Sequence, residues 1–355
     1  MTMRRPRLSL CFLPASGVYA QPPGPPKYDL FEVPGAGKVF ETGTFALSIN
    51  SASAIAGYYA DSSFVDHGFV RSSDGTFTTF DAPGAGAVGG TGTCGSAINT
   101  AGTIAGYYKN ADSVFGGFVR AGDGTITTFE APGAGTGGYQ GTLALGINDA
   151  GDVTGYFLAV GVDSIVSYGF VRANNGTITT FPAPGGGNNT AGYSINDAGS
   201  IAGSYYDTNG VAHGFIRAND GTFTTFEAPG EGGQGTFAYG INQAGDATGA
   251  YFDANTVYHG FVRASDGTFS TFEAPAAGTI PYQGTLGYGI NANGTTTGYY
   301  VDASGTCHGF VRASGGPIMS LGDRGTVGHG INDVADVTGY YWDTGTVYSG
   351  FLMTP

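Results

Sequence analysis

Four of the five histidines occupy the same place in a repeated sequence pattern, so metal binding is the first chemistry to consider. His67, His213, His259 and His308 each open a short His-Gly-Phe segment. A zinc site needs every ligand about 2.0–2.1 Å from one ion. Residues that occur once per repeat lie far apart in a repeat fold. We therefore predict no metal site and expect these histidines to form hydrogen bonds within their own repeats.

The fifth histidine belongs to a set that suits ligand binding. His329 precedes Gly-Ile-Asn, at the position where three other copies of the repeat have Tyr193, Tyr239 and Tyr288. Aromatic rings offer faces for stacking, and phenol and imidazole groups form directed hydrogen bonds, which together suit a sugar. We predict these four residues as candidate ligand-binding residues. The alternative is that they pack between repeats near the axis. The remaining copies have Leu47, Ser96 and Leu145 at this position.

Six arginines also recur once per repeat, and acidic residues recur near them. We expect rows of ion pairs within or between repeats, because clustered arginines without compensating acids would be needed to bind a polyanion. The arginines are Arg71, Arg120, Arg172, Arg217, Arg263 and Arg312, and the acids are Glu32, Asp81, Glu130, Glu227 and Glu273.

Calcium is the one inorganic cofactor that the acidic turns suggest. Asp74-Gly75 and Asp123-Gly124 are typical of these turns. An EF-hand loop needs regularly spaced oxygen ligands and a final glutamate, and no copy supplies that set. Turn formation explains the acids, so we predict no cofactor and keep structural Ca²⁺ as the alternative.

Catalytic sequence motifs are absent. The chain has no Gly-x-Ser-x-Gly elbow between a strand and a helix and no phosphate-binding loop. We predict no catalytic residues. Two enzyme alternatives stay open: a polysaccharide lyase that uses His329 or a tyrosine beside Arg324, and a glycoside hydrolase with two carboxylates across a channel.

A repeat of 41 to 49 residues must position these side chains. Ile-Asn recurs at Asn50, Asn99, Asn148, Asn196, Asn242, Asn291 and Asn332. The unit that begins at Gly141 contains four strand candidates, at 142–148, 153–157, 168–173 and 177–183, separated by turn sequences. Repeats of this length made of four strands are typical of propeller blades. The sequence predicts an all-β, seven-bladed β-propeller with four antiparallel strands per blade.

The last repeat lacks its fourth strand, and the N-terminus supplies the missing sequence. The chain ends just after the third strand of the last copy, at 349–353, whereas residues 27–37 match the fourth-strand segment 127–135. We predict that the N-terminal strand completes the C-terminal blade, which removes the free strand edges. One propeller domain then spans 28–355. The Asp74-Gly75 turn further predicts that Phe69 lies opposite Phe80.

Composition and the N-terminus indicate an exported protein. The net charge is −14 and becomes more negative when residues 1–20 are removed, so nucleic-acid binding is not expected. Residues 1–20 have the basic, apolar and small-residue regions of a signal peptide, and 21–27 form a Pro-rich linker. No later segment has the length of a membrane span. We expect a secreted or periplasmic monomer in which Cys94 and Cys307 form no disulfide.

Two segments resemble a known bacterial family. Gly-Ile-Asn-Asp-Ala-Gly-Asp-Val-Thr-Gly-Tyr (146–156) and His-Gly-Phe-Val-Arg (259–263) are similar to the extracellular repeats called the HAF family, and the resemblance extends over 28–355. The chain departs from the family in having Gly where the family name has Ala. The resemblance implies bacterial export and repetition, and it implies no active site.

Three functions fit these observations. The first is a non-enzymatic binding or scaffold propeller whose partner is a glycan or a cell-surface component. The second is a carbohydrate-active enzyme with its site over the central channel. The third is a purely structural protein of the cell envelope or matrix.

Overall fold

The chain folds into β-strands throughout the part that the structure describes. The computed structural model describes residues 26–161, 164–182, 184–186, 188–322, 325–342 and 346–355. The predicted signal peptide, most of the predicted linker and Arg324 lie outside these ranges. Apart from a 3₁₀ turn at Pro184–Gly186, the regular elements in these ranges are strands, which confirms the all-β prediction. None of the described residues form a helix with the length and hydropathy of a membrane span.

Within these ranges the strands pair antiparallel in seven groups of four, in chain order except for β1. Group 1 is β2 (Gly43–Ile49), β3 (Ile55–Ala60), β4 (Asp66–Arg71) and β5 (Phe77–Phe80); group 2 is β6 (Gly92–Ile98), β7 (Ile104–Lys109), β8 (Phe115–Arg120) and β9 (Ile126–Phe129); group 3 is β10 (Gly141–Ile147), β11 (Val153–Val160), β12 (Ile165–Arg172) and β13 (Ile178–Phe181); group 4 is β14 (Asn188–Ile195), β15 (Ile201–Tyr206), β16 (Ala212–Arg217) and β17 (Phe223–Phe226); group 5 is β18 (Thr236–Ile241), β19 (Ala247–Phe252), β20 (Tyr258–Arg263) and β21 (Phe269–Phe272); group 6 is β22 (Gly284–Ile290), β23 (Thr296–Val301), β24 (Cys307–Arg312) and β25 (Ile318–Ser320); group 7 is β26 (Thr326–Ile331), β27 (Val337–Trp342), β28 (Tyr348–Thr354) and β1 (Lys27–Phe31).

The N-terminal strand takes the fourth place in group 7. β1 pairs antiparallel with β28, and Leu30 lies opposite Phe351. The chain then enters group 1 through Val33, whose N–H donates to Thr44 Oγ1 at 3.0 Å. Ala82 makes the same bond to Thr93 between groups 1 and 2. The entry from β1 into group 1 therefore repeats the connection between two groups that are consecutive in the chain.

The repeated asparagines join the groups in a cycle of hydrogen bonds. Each side-chain Nδ2 donates to the backbone carbonyl of the asparagine in the next group at 3.0–3.2 Å, and Asn332 donates back to Asn50. Each Oδ1 accepts the backbone N–H four residues later, which holds the turn into the second strand. All seven asparagines are buried. A buried amide with donor and acceptor both engaged stabilises this arrangement, because either group left unpaired would be penalised.

The core lies between neighbouring groups. The third strand of every group buries one phenylalanine completely: Phe69, Phe118, Phe170, Phe215, Phe261, Phe310 and Phe351. In six groups an arginine follows two residues later, on the same face of the strand. Each of these guanidinium groups lies 4.7–5.0 Å from the ring of an aromatic residue in the fourth strand of the preceding group. Cation–π contacts therefore join one group to the next.

The predicted arginine–carboxylate rows are wrong. The predicted acids bind other partners: Glu32 binds Lys38, Asp81 binds His67, Glu130 binds Thr142, Glu227 binds His213 and Glu273 binds His259. Arg71 does form an ion pair, but its partner is Asp29 of β1. The side-chain alternation explains the difference, because each arginine points across the group boundary, where it lies over a phenylalanine ring of the preceding group.

The predicted hairpin register is shifted by one residue. Phe69 pairs with Thr79, and Phe80 lies opposite Gly68. The Ser72 N–H donates to the Thr76 carbonyl, and Gly75 has a φ of +88°. The connection is thus a three-residue loop that ends in a left-handed glycine, rather than a two-residue turn.

Candidate binding cavity

A cavity of about 580 Å³ lies where the first strands of all seven groups converge. Its wall includes the side chain that stands three positions before the repeated asparagine in every group: Leu47, Ser96, Leu145, Tyr193, Tyr239, Tyr288 and His329. The four residues predicted from the sequence as ligand-binding are therefore brought to one cavity.

A β-bulge aims each of these side chains. In all seven groups the register between the first and second strands shifts at this residue, as between Ala238 and Gly240 around Tyr239. A bulged residue is unpaired in the ladder, and its side chain can be redirected. The facing strand accommodates the bulge with a glycine. A Cβ on Gly249 would lie 1.8 Å from the carbonyl oxygen of Phe237, so only glycine fits there.

One side of the wall is a continuous aromatic row, which we call the aromatic arc (Tyr193, Tyr239, Tyr288 and His329). Neighbouring ring centroids are 5.3, 5.2 and 5.1 Å apart along the row, and the His329 ring is stacked on Tyr288 at 23°. All four side chains are half-buried. Such rings offer an apolar face together with polar atoms at the rim.

The polar atoms of the arc stay uncharged at neutral pH. Burial raises the pKa of Tyr193 to about 12, and burial also raises the pKa values of Tyr239 and Tyr288. Burial lowers the pKa of His329, although its bond to Leu47 opposes the shift. His329 Nδ1 donates to the Leu47 carbonyl at 2.8 Å, because a carbonyl can only accept. The neutral ring therefore presents Nε2 as an acceptor.

The opposite side of the wall is built differently. Leu47, Ser96 and Leu145 hold the bulge positions there, and Tyr58 and Tyr107 of the second strands line the cavity beside them. The sequence analysis missed these tyrosines. The available signal was the residue after the second-strand glycine, which is tyrosine in groups 1 to 3 but Ser204 and Ala250 where Tyr193 and Tyr239 fill the space. Ser204 Oγ donates to the Tyr193 hydroxyl at 3.3 Å.

Among the described residues, those that line the cavity carry no carboxylate, ammonium or guanidinium group. The titratable groups on the wall are tyrosines, His329 and Cys94, whose pKa burial raises to about 12. Cys94 and Cys307 are free cysteines, as predicted. A neutral wall of this kind suits an uncharged ligand, because it offers no partner for a buried charge.

The four repeated histidines lie away from this cavity, each inside its own group. His67 stacks on Tyr59 at 5.0 Å and binds Asp81, and its Nε2 lies 3.8 Å from Asp61. His213, His259 and His308 stack on tyrosines in the same way and bind carboxylates of their own groups. These four histidines therefore form polar contacts within their own repeats, as predicted. The described residues contain no cluster of three or more potential metal ligands.

Comparison with solved structures identifies the fold. A streptogramin B lyase aligns with a TM-score of 0.57 and 12% identity over 93% of this chain and 98% of that chain. A catalytically inactive virginiamycin B lyase from Staphylococcus aureus with quinupristin aligns with a TM-score of 0.55 and 13% identity, over 93% of this chain and 100% of that chain. The β-propeller domain of the Trilobed protease from Pyrococcus furiosus aligns with a TM-score of 0.54 and 10% identity, over 91% of this chain and 93% of that chain. The chain has a β-propeller fold. At these identities the likeness concerns the fold alone, and no family model or curated protein sequence matched the chain.

Proposed function

We propose that residues 28–355 form one closed seven-bladed propeller that acts as a non-enzymatic binding module for neutral carbohydrate. The seven groups are then its blades, and β1 completes the last one. Two contacts support closure: the asparagine cycle returns from Asn332 to Asn50, and β1 pairs with β28.

The observation that carries the binding proposal is the aromatic arc in an uncharged cavity. Stacked tyrosines present ring faces, and their hydroxyls remain protonated because burial raises their pKa values. Sugars combine apolar ring faces with many neutral hydroxyls, so they match both features. An anionic ligand would bring a charge that the wall does not neutralise.

Catalysis is the second candidate, and His329 is the observation that favours it. Its pKa is lowered by burial and its Nε2 is free to accept a proton, which are the properties of a general base. The tyrosines stay protonated at neutral pH, because burial raises their pKa values, so they do not act as general bases there. Glycoside hydrolysis would need a carboxylate pair, and the described cavity wall has no carboxylate. Binding is therefore the function that the geometry supports better.

The remaining features of the proposal come from the sequence. We propose that the protein is exported as a monomer of HAF-type repeats to the bacterial periplasm or exterior, where a cell-surface glycan is its partner. The alternative without a ligand is a structural role in the envelope or matrix.

A glycan screen with product detection tests the proposal. The purified protein is assayed against neutral and acidic oligosaccharides, with and without Ca²⁺, and each hit is followed by reducing-end and ultraviolet assays. Saturable binding of neutral glycans without product is the expected result. Release of product would establish catalysis instead, and binding to none of the glycans would leave the structural alternative.

A further inference from the structure

The aromatic arc continues out of the cavity through Phe237. Phe237 is the residue two before Tyr239 in β18, and their rings are nearly parallel at 9° with centroids 6.2 Å apart. The rings of Phe252, Tyr258 and Tyr282 continue this row beyond Phe237. We call Phe237, Phe252, Tyr258 and Tyr282 the outer track. It joins the cavity wall to the face of the propeller where the first strands begin.

Ring contacts connect the track without a break. Phe252 lies 6.1 Å from Phe237, 4.3 Å from Tyr258 and 6.4 Å from Tyr282 between centroids. The track passes through Phe252, which is 9% exposed, and ends at Tyr282, which is 64% exposed. A path of aromatic rings therefore leads from bulk solvent to Tyr239.

Groups 2 and 3 lack an aromatic residue at two positions of this path. The position of Phe237 is Cys94 in group 2 and Leu143 in group 3, and the position of Phe252 is Lys109 and Leu158 there. The fold therefore does not require aromatic side chains at these positions. Groups 5 and 6 have them where they adjoin the aromatic arc.

Tyr282 has a left-handed backbone conformation in the loop before β22. Its φ is +65°, in the left-handed region, where the same repeat position in groups 2 and 5 has Gly90 and Gly233. A bulky residue rarely adopts this region. The ring is mostly exposed, so burial does not compensate for the strain. Glu41 and Tyr139 share this conformation at the same repeat position, so it belongs to the loop, and the ring contacts of Tyr282 carry the inference.

A second aromatic cluster near the mouth is already self-packed. Phe45 stacks on Tyr58 at 4.7 Å and contacts Tyr348 at 4.5 Å. All three of these rings are half-buried, whereas the outer track ends in Tyr282, which is 64% exposed.

We propose that the cavity takes one end of an extended neutral oligosaccharide, whose following unit lies on the outer track at Tyr282. This rests on the proposed carbohydrate binding and adds the length of the ligand and the direction from which it enters. The terminal unit contacts the aromatic arc, and the next unit stacks where Phe252 and Tyr282 lead outward. Affinity therefore increases with chain length until the track is filled.

Tyr139 provides a matched control for Tyr282. It holds the same repeat position in group 3, with a φ of +61° and 62% exposure. Its N–H donates to the Ser113 carbonyl, as that of Tyr282 donates to the Thr256 carbonyl. The Tyr139 ring, however, is covered by Lys109 Nζ at 5.2 Å from its centroid. The two tyrosines thus match in backbone conformation and exposure, but only Tyr282 belongs to the outer track.

The test is isothermal titration with homologous series of neutral sugars. Glucose, mannose, galactose and N-acetylglucosamine are each used as the monosaccharide, disaccharide, tetrasaccharide and hexasaccharide. The proteins are the full chain and its Tyr282→Gly and Tyr139→Gly variants. Both variants should fold, because glycine is native at this position in other groups.

We expect at least one series to bind more tightly as it lengthens. Tyr282→Gly should weaken the tetrasaccharide and hexasaccharide by about fivefold to tenfold, the size of one lost aromatic contact, and leave the monosaccharide unchanged. Tyr139→Gly should leave every affinity unchanged. Monosaccharide binding without a gain from length, or equal losses in both variants, would overturn this inference alone. Binding by no series would overturn the carbohydrate proposal and this inference with it.

Discussion

The repeated asparagines and the bulge residues lie three positions apart in the same strands, yet only the asparagines are the same in every copy. Each asparagine makes the same two hydrogen bonds, one to its own turn and one to the next group. The bulge residue has no ladder partner and faces an open cavity, so the frame accepts Leu145 in one group and Tyr239 in another. The asparagines thus fix the contacts between neighbouring groups, whereas the identity of the bulge residue can vary from group to group.

Substitution of Phe31 tests whether β1 is as firmly packed as the fourth strand of an internal group. We expect the largest loss of stability from this change. Phe31 and Phe226 are each 8% exposed, and the guanidinium groups of Arg71 and Arg263 lie 5.0 and 4.9 Å from their ring centroids. Phe31→Ala and Phe226→Ala should each lower the free energy of unfolding by about 3–5 kcal/mol in chemical denaturation. A much smaller loss for Phe31→Ala would mean that the N-terminal strand frays, and would contradict closure.

Asn148→Ala tests the hydrogen-bond cycle. It removes the bond from Nδ2 to the Asn196 carbonyl and the bond from Asp152 N–H to Oδ1. Because both partners are left at buried or half-buried sites, the free energy of unfolding should fall by roughly 2–4 kcal/mol. The control is Asn174→Ala, which removes an exposed bond to the Ala150 carbonyl and should have little effect. Equal losses in the two variants would show that the cycle adds nothing.

His329 and His213 should show opposite pH dependence, with the larger effect at His329. Burial lowers the folded-state pKa of His329, so its unfolded state binds more protons near pH 6.5. Stability should therefore fall as the pH drops below about 6.5. His329→Phe, which keeps the stack on Tyr288, should remove part of that acid sensitivity in denaturation curves measured from about pH 7 to pH 5. Unchanged acid sensitivity in this variant would contradict a buried neutral histidine.

His213 should give the smallest effect and the reverse sign. Burial lowers its pKa, but Glu227 and Asp207 together outweigh burial, and the net pKa is raised. Its stabilising contribution is full below the unfolded pKa near 6.5 and is lost as the pH rises through the folded pKa. Wild type should therefore exceed His213→Gln in unfolding free energy by more at about pH 5.5 than at about pH 8.5. A larger margin at the higher pH would refute the ion pair.

The strands and their order were well predicted from the sequence, whereas the side-chain contacts between groups were poorly predicted. Copies of one repeat unit fold alike, so the Ile-Asn spacing and the turn sequences were enough to predict the strands. The match of 27–37 to 127–135 was enough to predict the pairing of the N-terminal strand with the last repeat. The hairpin register at Phe69 depended on whether Gly75 ended a two-residue or a three-residue loop, and the sequence fits both. The arginine partners were missed because side-chain direction relative to the next group is a tertiary property. The cavity positions of Tyr193, Tyr239, Tyr288 and His329 were predictable, whereas the bulge that aims them was not.

The most direct test of the carbohydrate proposal compares two bulge residues on opposite sides of the cavity. Trp342 is the only tryptophan in the chain, and it lies 6.3 Å from the ring of Tyr340, which lines the cavity. Its fluorescence is titrated with glucose, mannose, galactose and N-acetylglucosamine in wild type, Tyr239→Ala and Leu145→Ala. We predict saturable binding of at least one sugar, weakened about tenfold or more by Tyr239→Ala and little changed by Leu145→Ala. Equal effects of the two substitutions, or no binding by wild type, would contradict the account.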